Sequence, residues 1–315
     1  MLAERPTLAE RLGFAATDRV LIVAADDAGM SHAANQAIAE AFDAGLLQTA
    51  GAMVPTGWFD EVRAYAAAHP AADLGVHLTL TSEMQGARWR PLCSPREVPG
   101  LYDPHGFFWA RPEQVWQHAT PAEVERECRA QIDTALAVGL DVTHLDAHMG
   151  VLHFDARFDV VYRRLALDYR LPVRMLSQAT LVAHDASQLA GCRAAMADAG
   201  VVSPDRFVYA DKNAYADKNA YADKNADEPI LDVWTRALAS LLPGVTEIAL
   251  HPARRSPEMA HMTSRTSRPF AAAARAAEHA WLLDTSVQER LADRGVRLLG
   301  YRALRDLQRS GRVSK

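Results

Sequence analysis

The segment VLIVAADD, residues 20–27, constrains the fold more than any other part of the chain. Its apolar run leaves no polar face for solvent, so it reads as a strand covered on both sides, as in a parallel sheet flanked by helices. Gly29 then permits a turn, and Ser31 can cap a helix whose apolar face is Ala34, Ile38, Ala41 and Phe42. Similar units follow. Leu74 to Leu80 reads as a strand. Thr120-Pro121 opens a helix in the favoured order of cap then proline, with Val124, Cys128, Ile132 and Leu136 on one stripe and Gly139 ending it. DVTHLDAH is strand-like, Phe158, Val161 and Leu165 mark another helix, and LPVRML and VTEIALHP are further strands. Ser286 and Glu289 have the spacing of a capping box for a late helix, which Gly295 ends before a last strand, VRLLGY. Repeated βα units imply a parallel α/β sheet, either a barrel or a doubly wound fold. A length of 315 residues accommodates one (β/α) barrel, so residues 1–315 read as a single domain.

Residues 209–226 are three identical copies of YADKNA. A six-residue period matches neither helix nor strand, so Tyr209, Tyr215 and Tyr221 cannot line one face of a regular helix. Asp211, Asp217 and Asp223 could be read as a metal-binding set. A loop tolerating a tandem duplication is the simpler reading, because lengthening a loop costs little. The segment is expected to be an insertion.

Composition excludes several function classes. With 49% hydrophobic and 23% charged residues the chain has the make-up of a soluble enzyme with a substantial core. A net charge of -5 gives no basic footprint for nucleic acid or for an acidic membrane surface. Cys93, Cys128 and Cys192 are widely spaced and form no CxxC pair, which argues against a disulfide framework or a cysteine zinc site. No segment approaches the roughly 20 apolar residues that span a bilayer, and MLAERPTLAERLGF lacks the apolar run of a signal peptide. The expectation is a cytoplasmic protein without nucleic-acid or membrane partners; assembly into a homo-oligomer is open.

Four places carry chemistry. Asp26-Asp27 closes a buried strand, where two adjacent carboxylates lose solvation and repel each other unless a cation relieves them. A pair of turn or cap residues is the plainer alternative. In His144-Leu145-Asp146-Ala147-His148, strand alternation puts His144, Asp146 and His148 on one face. Three titratable groups on one face of an apolar strand make a poor core and a good metal site. His77 and His251 are each weak signals alone. However, Asp26, Asp27, His148 and His251 all fall at the C-terminal ends of expected strands, with His77 inside one. That end of a parallel barrel carries the active site. An Asp/His ligand set leaves coordination positions open, as in a catalytic metal centre that activates water for hydrolysis.

AADDAGMSHAANQAI, LGVHLTLT, THLDAHMG and ALHP, in this order, resemble the YdjC-like carbohydrate deacetylases. The likeness extends from about Arg19 to GVRLLGYRAL. It implies a distorted TIM-barrel-like fold and one divalent metal, usually magnesium, with zinc or manganese equally suited to the donor types. By this resemblance Asp27, His77 and His148 would be the ligands, Asp26 the catalytic base and His251 the general acid. His144 and Asp146 would stand behind the ligands or contact substrate, and Arg174 would contact substrate or transition state. The implied reaction removes an acetyl group from a small N-acetylated sugar. Ala28 replaces the family's usual aromatic, and Met149-Gly150 follows His148 where histidines are common, which bears on substrate choice. The alternatives are a metal-dependent hydrolase of a phosphoester or a non-sugar amide, or a non-catalytic relative.

Overall fold

The computed structural model describes residues 6–84, 86–176, 191–209, 230–263 and 270–311. Beyond Tyr209, the YADKNA copies lie outside the described residues. Seven strands form one sheet: β1 Arg19–Ala28, β2 Thr49–Ala52, β3 Leu74–Leu78, β4 Val142–Ala147, β5 Arg206–Tyr209, β6 Gly244–Leu250 and β7 Arg297–Leu298. All pairings are parallel, in the order β4-β3-β2-β1-β6-β5, with β7 pairing to the start of β1. The sheet curls into an open half-barrel with helices around it, a distorted TIM-barrel-like α/β fold.

Alternation along β1 shows how the curl is filled. Leu21, Val23 and Ala25 pack outward with the helices, among them His32–Ala44, in the main core. Val20 and Ile22 point inward, where Val245 of β6 and Tyr301, Leu304 and Leu307 of the last helix, Tyr301–Arg309, close the N-terminal end of the barrel. The rest of the same interior is polar: Asp26, His77, His144, Asp146 and Glu247 are all buried there. Glycines make room for them. A Cβ on Gly51 of β2 would lie 3.0 Å from an Asp146 carboxylate oxygen, and one on Gly75 of β3 would fall on the His144 ring.

Several local expectations need correction. β3 ends at Leu78 rather than Leu80, which puts His77 almost at the strand's C-terminal end. LPVRML forms no strand; a single bridge joins Val173 to Leu145, so the segment lies against β4 without extending the ladder. The expected last strand shrinks to Arg297–Leu298 because Gly300 already leads into the final helix. The late helix spans Thr285–Asp293 and is capped by Asp284, whose carboxylate accepts from the Ser286 N–H, so it begins two residues earlier than a Ser286 cap would start it. The Thr120 cap with Pro121 holds, with a full capping box to Glu123. No helix among the described residues is long and apolar enough to cross a membrane.

Candidate active site

Asp26 continues the inward face of β1, whereas strict alternation would send Asp27 outward among the helices. The register with β2 breaks between Ala25 and Ala28, and Asp27 has φ 67. This bulge turns both carboxylates into the interior. The left-handed backbone costs roughly 1 kcal/mol, less for Asp than for most residues.

There Asp27 meets two histidines. Its Oδ1 lies 3.6 Å from His77 Nε2 and 3.2 Å from His148 Nδ1, and those two nitrogens are 3.2 Å apart. The other oxygen, Oδ2, accepts from Arg275 Nη2 at 2.8 Å. Oδ1 is buried and accepts no hydrogen bond, because the His148 ring is near it but out of line. An orphaned carboxylate oxygen facing two imidazole nitrogens, all within ligand spacing, fits a divalent metal ion. Burial alone would raise the Asp27 pKa; the Arg275 guanidinium and the His148 ring outweigh it and hold the carboxyl well below its usual range. Burial likewise pushes His148 down, but Glu83 and Asp27 carry it up to about 10. His77 is raised against its burial by Asp146 and Asp26.

Each histidine is oriented from behind. His77 Nδ1 faces Asp146 Oδ2 at 2.8 Å, and His148 Nε2 faces Glu83 Oε1 at 2.9 Å. Asp26, His77 and Asp146 form a second acidic grouping, but it already has its cation. Arg174 Nη1 stands 2.7 Å from Asp26 Oδ2 and 2.8 Å from Asp146 Oδ2, while its Nε donates to Glu247 Oε1 at 2.8 Å. The site therefore has the charge arrangement for one metal, with a guanidinium where a second would sit.

Asp26 accepts both Arg174 Nη groups, and His251 Nε2 lies 3.8 Å from its Oδ2. Burial lowers His251 to about 4, despite Asp27 and Asp26 nearby, so the ring is neutral at neutral pH. Its backbone N–H donates to Glu278 at 2.6 Å and its ring sits edge-on to Phe270. The structure thus brings together Asp26, Asp27, His77, Asp146, His148, Arg174 and His251. His144 stays apart, lower in the barrel, stacked on Tyr301 with ring centroids 4.0 Å apart. Arg174 is buried like the rest of the site, with its donors directed at three acids. His153 is also buried, edge-on to Tyr162.

Four site residues escaped the sequence reading. Arg275 and Glu278 share one face of the helix Ala272–Leu283, where i,i+3 opposite charges look like a solvated pair. Glu247 was visible as an acid inside the apolar run VTEIAL. Glu83 follows β3 in a segment with no pattern.

A crystal structure from Enterococcus faecalis V583, described as a cellobiose-phosphate cleavage protein, superposes with a TM-score of 0.72 at 27% identity, covering 91% of this chain and 99% of that one. A carbohydrate deacetylase of Thermus thermophilus is 43% identical over 166 residues, 52% of this chain and 56% of the relative. One from Brevibacillus brevis is 38% identical over 154 residues, 49% of this chain and 58% of the relative. These two matches thus span little more than half of the relatives' length. A carbohydrate deacetylase of Thermoanaerobacter pseudethanolicus matches at 26% over 91% of this chain and all of its own length. The family model described as YdjC-like protein covers residues 20–293, from β1 through the Asp284-capped helix, and the chain belongs to the YdjC-like protein family.

Proposed function

We propose that the chain is a metal-dependent hydrolase that removes the acetyl group from a small N-acetylated sugar. The observation that carries this reading is the orphaned Asp27 Oδ1 set against His77 Nε2 and His148 Nδ1, beside an Asp26–His251 pair. The carbohydrate deacetylase names of the relatives supply the substrate class. Asp27, His77 and His148 would hold the ion, which supplies Lewis-acid polarisation of a carbonyl and a lowered pKa for water.

The protein's own groups do the rest. Arg174 fixes the Asp26 carboxylate with two hydrogen bonds, so Asp26 is positioned to take the proton of the attacking water. His251 rests neutral and must acquire a proton before it can give one to the departing amine. Asp26, 3.8 Å away, is placed to hand it over. One proton thus passes from water through Asp26 and His251 to nitrogen as the C–N bond breaks, leaving acetate and an amino sugar. One carboxylate and two imidazoles suit zinc or manganese as well as the magnesium that the family resemblance suggests.

The test is acetate release from N-acetylglucosamine and its oligomers by chelator-treated protein with magnesium, zinc or manganese added back. Release should depend on metal, vanish in His148→Ala, and be lost in Asp26→Asn with metal still bound. Stoichiometric metal without acetate from any sugar would overturn the substrate assignment. Phosphate release from sugar phosphates would replace it with a phosphoesterase.

A further inference from the structure

His77 and His148 present opposite nitrogens to the same point. His77 uses Nε2 and keeps Nδ1 against Asp146 at 2.8 Å; His148 uses Nδ1 and keeps Nε2 against Glu83 at 2.9 Å. A neutral imidazole has one bare nitrogen, and the hydrogen bond made by the other decides which it is. Asp146 does this for His77 from a neighbouring strand. For His148, which leaves β4 into a single 3-10 turn, the corresponding acid comes from a loop.

That loop is braced. Ser82 N–H donates to the Trp109 carbonyl, and Ser82 Oγ accepts from the Trp89 N–H at 3.0 Å. Trp89 Nε1 donates to the Thr81 carbonyl at 2.7 Å, and the Trp89 ring stands edge-on to His148 at 6.3 Å. Arg88 ties the same stretch to Asp103 at 2.6 Å. Glu83 is thereby presented on a fixed arm six residues after His77, and its side chain is only 13% exposed.

We propose that Glu83 is a positioning residue for metal capture: it engages His148 Nε2, turns Nδ1 toward Asp27 as the nitrogen that takes the ion, and sets the affinity of the site. The inference rests on the metal-centre reading above. Chelator-treated protein titrated calorimetrically with manganese or zinc, without sugar, tests it. Glu83→Ala should weaken the ion by about 10–100-fold. Glu83→Gln, whose amide oxygen still accepts from Nε2–H, should recover part of that loss. Melting temperatures in chelator separate weakened capture from damaged folding, and the isosteric Gln variant serves if the Ala variant does not fold. Wild-type affinity in Glu83→Ala would overturn the role of Glu83 and leave the metal centre intact. No binding by the wild-type protein would overturn the metal centre itself, and this inference with it.

Discussion

Arg174→Met removes the one cation shared by three buried acids while keeping a side chain of similar length. The acids do not suffer equally. Asp146 retains His77 at 2.8 Å, and Glu247 retains the Tyr301 hydroxyl at 2.6 Å. Asp26 loses both of its hydrogen bonds and keeps only two imidazoles nearby, His251 at 3.8 Å and His77 within 4.8 Å. Counting one stranded carboxylate, the loss is about 3–5 kcal/mol. For 315 residues, about 2.1 cal/mol/K each gives an unfolding entropy near 0.66 kcal/mol/K, so the melting temperature should fall by about 5–8 °C. The deficit should also depend on pH. Burial raises the Glu247 pKa even though Arg174 lowers it, so without the guanidinium it rises further. A carboxyl whose folded pKa is raised is penalised above that pKa and relieved below it. The variant should therefore be weakest near about pH 8 and recover toward about pH 5.5. Urea unfolding in chelator at both pH values measures this. A variant within about 1 kcal/mol of the wild type at both would refute the claim that one guanidinium neutralises the barrel interior.

Two further predictions test the site's supports. Gly75→Ala places a methyl on the His144 ring, which is backed by Tyr301 and cannot withdraw; it should destabilise by about 1–3 kcal/mol in chemical unfolding. Combined with His144→Ala, the pair should be less damaging than the sum of the singles by at least about 1 kcal/mol, and simple additivity would sink the packing argument. Burial raises Glu278 from 4.5 to about 7, so its ionisation opposes folding as pH climbs through that window. The chelated wild type should lose up to about 3 kcal/mol from this group, and Glu278→Gln, which still accepts from the His251 N–H, should lack that slope. Parallel pH profiles for the two proteins would show that Glu278 is ionised throughout.

What was legible in the sequence was what strand alternation carries. VLIVAADD showed a buried strand and its acids, and THLDAH showed Asp146 and His148 near one another. His77 gained weight from its place in a strand, and its position near the end of β3 strengthens that reading. Contacts with partners far along the chain were not legible. Arg275 reaches Asp27 across 248 residues of sequence, from an alanine-rich helix with no signal of its own. β2 went unread because TAGA has none of the bulky residues that mark a strand. Those residues are small because Gly51 must clear Asp146 and His77. The bulge was hidden too: adjacent acids on a strand are expected to diverge, and only the backbone turn at Asp27 makes them converge.

That turn also limits how the centre could drift over time. Asp27 is at once the proposed ligand and a left-handed bend, a conformation that Asp and Asn adopt at little cost and that Glu and Cys resist. Exchange to either would exact a backbone penalty before any change in coordination was felt, and Asn would forfeit the charge. His77 and His148 have no such tie, since neither has a positive φ. A descendant of this protein that acquires a preference for a different ion has its open route at the histidines, with Asp27 as the fixed point around which the others change.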